Sequence, residues 1–180
     1  MATVYLAGPE VFLPGAAAIG ARKKALCRAA GFEGLFPSDT KPPQLGPDAA
    51  IFAACVAAMR QADLGIFNLT PFRGPSADVG TVWELGFMVA LGKPVWAYTN
   101  DPAPLRARIP GTRQGQDGVW RDPEGRLTED FNNADNLMID RSLPLGGLIR
   151  LDRGARLDDL DGFLMCLDAA KRARDGSVQK

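Results

Sequence analysis

The chain has 180 residues and no histidine. That excludes nucleophile activation by a Ser-His-Asp or Cys-His set, and it removes the commonest transition-metal ligand, so no metal site and no cofactor are expected. Cysteine is scarce: Cys27, Cys55 and Cys166 are odd in number and far apart. This argues against a disulfide framework or zinc site and for a reducing compartment, hence a cytoplasmic location. No run approaches the roughly 20 apolar residues of a membrane span. The N-terminus, Met1 to Glu10, lacks the charged-then-apolar layout of a signal peptide. Neither charge is in excess, with 21 Lys+Arg against 21 Asp+Glu. Without basic clustering, no nucleic-acid polymer is expected as partner, and no membrane either. The short basic runs Arg22-Lys23-Lys24 and Lys171 to Arg174 read as solvated helix faces. Acid–base work therefore falls to carboxylates, Tyr, Lys or water.

What is present suits one domain spanning 1–180 with a sizeable core, since 46% of residues are hydrophobic. Val4 to Ala7 reads as a buried strand ending at Gly8-Pro9. Ala16 to Ala30 has helical spacing and stops at Gly31. A second strand is expected over Gly34 to Phe36, then a Pro-rich loop over Thr40 to Gly46 and a helix over Asp48 to Ala62. A third strand over Leu64 to Asn68 is followed by a loop to Ser76. A helix capped by Asp78 comes next, then Gly92-Lys93-Pro94 and a fourth strand over Val95 to Tyr98. This alternation predicts an α/β fold: a flavodoxin- or Rossmann-like, doubly wound, mostly parallel sheet of about five strands with helices on both faces. In such a sheet, the loops at Gly8-Pro9, Asn68–Ser76 and Thr99–Asp101 gather at one edge. Beyond Asn100 the pattern weakens. A hairpin around Pro123-Glu124-Gly125 suggests an insertion around 110–130. A helix is expected over Glu129 to Arg141, a last strand at Leu148-Ile149 and a closing helix over Leu157 to Arg174.

Glu84 is the only charge between Val79 and Leu91. A helix that apolar on nearly every face is expected to lie buried between other elements. An unpaired carboxylate there carries a desolvation cost, so Glu84 is either held by partners or used in a pocket.

Three segments stand together: Tyr5-Leu-Ala-Gly-Pro9; Asn68 to Gly86, with Asp78, Gly80 and Glu84-Leu-Gly; and Asp135-Asn-Leu-Met-Ile139. The set resembles the nucleoside 2-deoxyribosyltransferase family and the related deoxynucleoside-monophosphate N-glycosidases. The strongest match runs from Asp63 to Tyr98. The resemblance implies that Glu84 is the nucleophile, attacking C1′ of a 2-deoxyribosyl group and expelling the base. A second base or water would then open the covalent ester, with net retention. It implies that Tyr5 hydrogen-bonds the nucleophile and keeps it ionised. It implies that Asp78 contacts the base and manages the proton on the departing ring nitrogen, alongside its capping role. Asn136 matches the residue that binds the sugar 5′-hydroxyl from a neighbouring subunit, which implies a homo-oligomer, a dimer or multiple of dimers. Met138 reads either as a base contact across that interface or as core. Phe72, with Arg73 and Gly74, belongs to a loop that would flank the base, although Arg73 equally suits a solvated or ion-paired position. Gly8 and Gly80 are further substrate-binding candidates, and Gly86 reads as a site glycine or a packing glycine.

One position departs from the pattern. Cys55 stands where relatives commonly have Asp or Asn touching the base, and cysteine is a poor partner for a base edge. Base recognition is then altered, or supplied from elsewhere, such as the loop over Asp39 to Gln44. Cys55 is expected to be unreactive in an apolar helix with no base near it. The implied substrates are a small-molecule deoxynucleoside and a free nucleobase. Two readings compete: hydrolysis of deoxynucleosides or their 5′-monophosphates, and a non-catalytic nucleotide-binding sensor on the same scaffold.

Overall fold

A computed structural model describes residues 1–37, 47–143 and 148–177. Its centre is a five-stranded sheet built from β1 (Ala2–Ala7), β2 (Phe32–Leu35), β3 (Leu64–Asn68), β4 (Val95–Thr99) and, late in the chain, β7 (Leu148–Arg150). The strand order is β2-β1-β3-β4-β7 and every pairing is parallel. The helices are α1 (Ala16–Ala29), α2 (Pro47–Gln61), α3 (Val79–Ala90) and α6 (Asp161–Ser177), with short turns α4 (Leu105–Arg108) and α5 (Leu137–Asp140). All residues of β3 and β4 are buried, as central parallel strands covered on both faces must be. This is the doubly wound fold that the alternation predicts. The chain order reverses between β1 and β3, which is where such sheets open a binding crevice.

Strand alternation sorts the core into two layers. Val4 and Leu6 face α1 and α6, where they pack with Cys27, Phe32, Ile66, Tyr98, Phe163 and Cys166. Tyr5 and Ala7 face the other way, towards α2 and α3, with Met59, Phe67, Leu85 and Met88. The same alternation therefore aims Tyr5 at the helix that carries Glu84.

Several expectations are corrected. The helix over Glu129 to Arg141 shrinks to the four residues of α5. Asn132 takes a left-handed φ of 57°, and side chains claim the backbone donors that a helix would need. Glu129 accepts from Leu137 N–H at 2.8 Å, and Asp140 accepts from Asp135 N–H at 2.8 Å. The hairpin region is more elaborate than expected. β5 (Arg113–Gln114) pairs with β6 (Trp120–Arg121), and Arg121 also bridges Leu127 across the Pro123-Glu124-Gly125 turn. Lys23 is not solvated: it is buried, ion-paired to Glu10, and lies over the Tyr98 and Phe163 rings. Arg174 is also half-buried, stacked 4.5 Å from the Phe32 ring centroid. The Pro-rich loop at 40–46 and the base-contact loop expected at 39–44 lie outside the described residues. No helix among the described residues is long and apolar enough to cross a membrane.

Candidate active site

At the β1–β3 crevice lies a cavity of about 470 Å³ lined by Gly8, Val11, Phe12, Pro37, Ile51, Cys55, Asp78, Gly80, Thr81 and Glu84. A wider polar cleft of about 720 Å³ opens near Asn100 and Arg153, but it contains neither carboxylate of the constellation. Both carboxylates of the constellation line the smaller, mostly apolar cavity.

Glu84 projects from α3 one and a half turns into the helix, and its Oε1 accepts a hydrogen bond from the Tyr5 hydroxyl at 2.6 Å. Burial pushes the Glu84 carboxyl above its ordinary pKa, and the nearby Asp78 charge adds to this. Hydrogen bonds from Tyr5 and from the Cys55 thiol pull the other way. Tyr5 is fully buried, and burial together with the facing carboxylate holds its phenol far above the usual value. Within the pair, the phenol therefore holds its proton more tightly than the carboxyl does and acts as the donor.

Asp78 ends the β3–α3 loop in a non-helical conformation and caps α3. Its Oδ2 accepts from Thr81 N–H at 2.9 Å and from the Thr81 hydroxyl at 3.0 Å. Among the described contacts the cap uses one oxygen, which leaves Oδ1 for the cavity. Gly80 lies on the same rim. Gly8 fits only as glycine, because an added Cβ would stand 2.2 Å from Glu10 Oε2 and 2.6 Å from Asn68 Cβ. The Glu10 carboxylate crosses behind it, bound by Lys23 and by Asn68 Nδ2 at 2.9 Å.

Thus Glu84, Asp78, Tyr5, Gly8 and Gly80 come together. Phe72 does not line the cavity but stacks on Phe12, which does; the ring centroids are 5.3 Å apart and nearly parallel. Arg73 lies over both rings, 5.1 Å from Phe12 and 4.7 Å from Phe72, at a left-handed φ of 58°. Asn136 and Met138 stand outside the cavity of their own chain. Asn136 caps α5 by accepting from Met138 N–H at 3.0 Å and donates to Glu129 at 2.7 Å, while Met138 is 72% exposed. Gly86 does not line the cavity, and an added Cβ there would meet nothing within 4 Å, so it is not a packing glycine in the single chain.

Two further corrections concern this site. Cys55 does have a base beside it, the Glu84 carboxylate, yet burial raises its thiol pKa and keeps it protonated, so it serves as a donor. And α3 is not buried all round: Val79 is 84% exposed and Trp83 47%, with Trp83 leaning on the exposed Phe52 of α2. Among the described residues nothing covers Val79 and Trp83 on the apolar outer face of α3 beyond the Phe52 contact. Sequence reading missed Val11, Phe12, Ile51 and Thr81 as cavity walls. Their signal was weak, since apolar residues near a strand end read equally as core.

Known proteins share this chain's fold and part of its sequence. A structure of a 2-desoxiribosyltransferase from Leishmania mexicana superposes with a TM-score of 0.66 at 27% identity, over 93% of this chain and 98% of that one. A 2-deoxyribosyltransferase from Bacillus psychrosaccharolyticus shares the fold, with a TM-score of 0.50 at 21% identity over 89% of this chain and 90% of that one. An uncharacterized protein of Schizosaccharomyces pombe is 32% identical over 170 residues, covering 83% of this chain and 81% of its own length. Residues 4–138, which carry all the cavity-lining positions, match the family model for nucleoside 2-deoxyribosyltransferase, and the chain is a member of that family.

Proposed function

We propose that this protein exchanges the base of a 2′-deoxynucleoside through a covalent deoxyribosyl–Glu84 intermediate. The observation that carries the reading is the Glu84 carboxylate held at 2.6 Å by the Tyr5 hydroxyl inside a cavity shared with Asp78. A Glu84 oxygen attacks C1′ from the face opposite the base. The C–N bond breaks, and its electron pair goes to the base nitrogen, to which Asp78 directs a proton. An acceptor base nitrogen then attacks C1′ from the vacated face, gives up its proton towards Asp78, and releases the Glu84 carboxylate. Two inversions give net retention. Tyr5 and Cys55 supply hydrogen bonds that keep the attacking oxygen ionised despite burial. Val11, Phe12 and Ile51 give the heterocycle apolar walls.

The lining favours an uncharged 5′-hydroxyl over a 5′-phosphate. It holds two carboxylates and, among the described residues, no basic side chain, so a phosphate dianion would meet repulsion without compensation. The second part of the proposal is a homo-oligomer in which Asn136 binds the sugar 5′-hydroxyl in the neighbouring cavity. Two features favour it: Asn136 and Met138 are exposed away from their own cavity, and Ile51, Phe52, Val79 and Trp83 leave an apolar surface beside it.

The test is intact-mass spectrometry after mixing with a 2-fluoro-2-deoxynucleoside, together with chromatography of a natural deoxynucleoside with and without a second base. The expected result is a deoxyribosyl adduct that is lost in Glu84→Ala, and a new nucleoside formed only when acceptor is present. Base release without exchange would replace the transferase reading by hydrolysis. Tight binding with neither adduct nor released base would replace both by a sensor.

A further inference from the structure

Asp135 is 1% exposed, an interior carboxylate that touches neither the cavity nor the surface. Its partners come from two segments separated by almost 60 residues. Oδ2 accepts from Ala77 N–H at 2.7 Å, and Oδ1 accepts from the Ser76 hydroxyl and from Asn136 N–H at 2.8 Å. Arg108 stands 3.9 Å away and is itself held by the carbonyls of Ala103 and Ala134. One carboxylate therefore grips the residue immediately before Asp78 and the backbone of Asn136.

We propose that Asp135 is a positioning residue that fixes both Asp78 and Asn136, so that the proton-handling group of one cavity and the arm offered to the next are set by a single anchor. The argument is geometric. Asp78 is held from its C-terminal side by its own cap on Thr81. On its N-terminal side the chain runs through Ser76 and Ala77, whose side-chain and backbone donors both end on Asp135. Removing that anchor leaves the cap in place but frees the approach of Asp78 to the departing base. On the Asn136 side, Glu129 takes the Asn136 amide and Leu137 N–H, while Asp135 takes Asn136 N–H. The asparagine is thus oriented by two carboxylates, only one of which is shared with the Asp78 loop. The shared one also lies beside the buried Arg108 guanidinium, whose charge offsets the cost of holding an anion in the interior.

This rests on the reading of Asp78 as the group that manages the proton on the leaving base. The experiment compares two donors on the full chain: 2′-deoxyguanosine, whose base needs a proton to leave, and 7-methyl-2′-deoxyguanosine, whose cationic base leaves without one. Asp135→Asn keeps size and polarity but turns one acceptor into a donor, opposing either Ala77 N–H or the Ser76–Asn136 pair. The expected result is a fall of about 10²-fold in kcat on deoxyguanosine, the scale of a ~1 Å misplacement of a positioned group. The methylated donor should retain its kcat, and KM should rise for both. Ser76→Ala, which removes one tether and leaves the carboxylate, should show the same discrimination at smaller size and serves if Asp135→Asn folds poorly. Equal kcat losses on both donors, or no loss, would overturn the positioning role while leaving the transferase reading intact. Absence of release from either donor by the unsubstituted chain would remove the premise, and both proposals would fall together.

Discussion

Replacing Tyr5 by Phe removes one hydroxyl from a fully buried ring and leaves the packing around it nearly unchanged. The lost contact is the 2.6 Å hydrogen bond to Glu84 Oε1. A hydrogen bond to an ionised group contributes about 1.5–3 kcal/mol. At 1.36 kcal/mol per pKa unit, its loss raises the Glu84 pKa by about one to two units. The sign follows from which state the bond favours: the phenol donates to the carboxylate, so it stabilises the charged form, and its removal favours the proton. Burial already raises that pKa, and the second donor, the Cys55 thiol, is too weak to compensate. The acid limb of kcat/KM for base release should therefore move to higher pH by about one to two units, with the deepest loss at the acid end and partial recovery as pH rises. The assay is base release across a pH series in buffers of constant ionic strength. Tyr98→Phe is the matched control, because the buried Tyr98 hydroxyl has no hydrogen-bond partner among the described residues. A uniform loss at every pH in Tyr5→Phe, or an unmoved acid limb, would refute the claim that Tyr5 sets the ionisation of Glu84.

Glu84→Gln should abolish turnover yet raise the unfolding temperature at neutral pH. The folded protein holds the Glu84 proton more tightly than the unfolded chain does, so its charge destabilises above the folded pKa. The gain over the unsubstituted chain should therefore shrink as pH falls from the raised folded pKa to the ordinary carboxylate value, and a constant gain would argue against a raised pKa. Lys23→Met should cost about 3–5 kcal/mol in chemical denaturation by leaving the Glu10 carboxylate buried without its cation. Pairing it with Glu10→Gln should recover much of that loss, and a double variant no better than the single would mean the pair is not coupled. Gly8→Ala should be destabilised by about 1–3 kcal/mol, because its new methyl meets Glu10 and Asn68. A neutral Gly8→Ala would show that the Glu10 side chain can move aside freely.

The sheet was legible because its central strands are apolar runs bounded by turn signals. Leu64 to Asn68 and Val95 to Thr99 are buried on both faces and read as little else. The Glu84–Tyr5 pair was legible for the opposite reason: Glu84 breaks an apolar helix, and alternation along β1 puts Tyr5, not Val4 or Leu6, on the matching face. Other features depended on contacts that no local pattern carries. Lys23 sits between Arg22 and Lys24 and looks solvated until the Glu10 carboxylate, 13 residues away, is seen turned inwards to meet it. The segment at Glu129–Arg141 was expected as one helix, but its Asn and Asp side chains bind nearby backbone N–H groups and stop the helix short. The bare outer face of α3 was unreadable because an apolar helix gives the same signal whether its own chain or another surface covers it.

Asp78 holds up the start of α3 with one oxygen and, under the proposed function, offers the other to the heterocycle. Any exchange at that position therefore alters folding and reactivity at once, and the residue is doubly constrained. The walls at Val11, Phe12 and Ile51 carry no such burden. Adaptation to a new nucleobase can proceed through those three positions in small, survivable steps, with Glu84 and its helix left untouched.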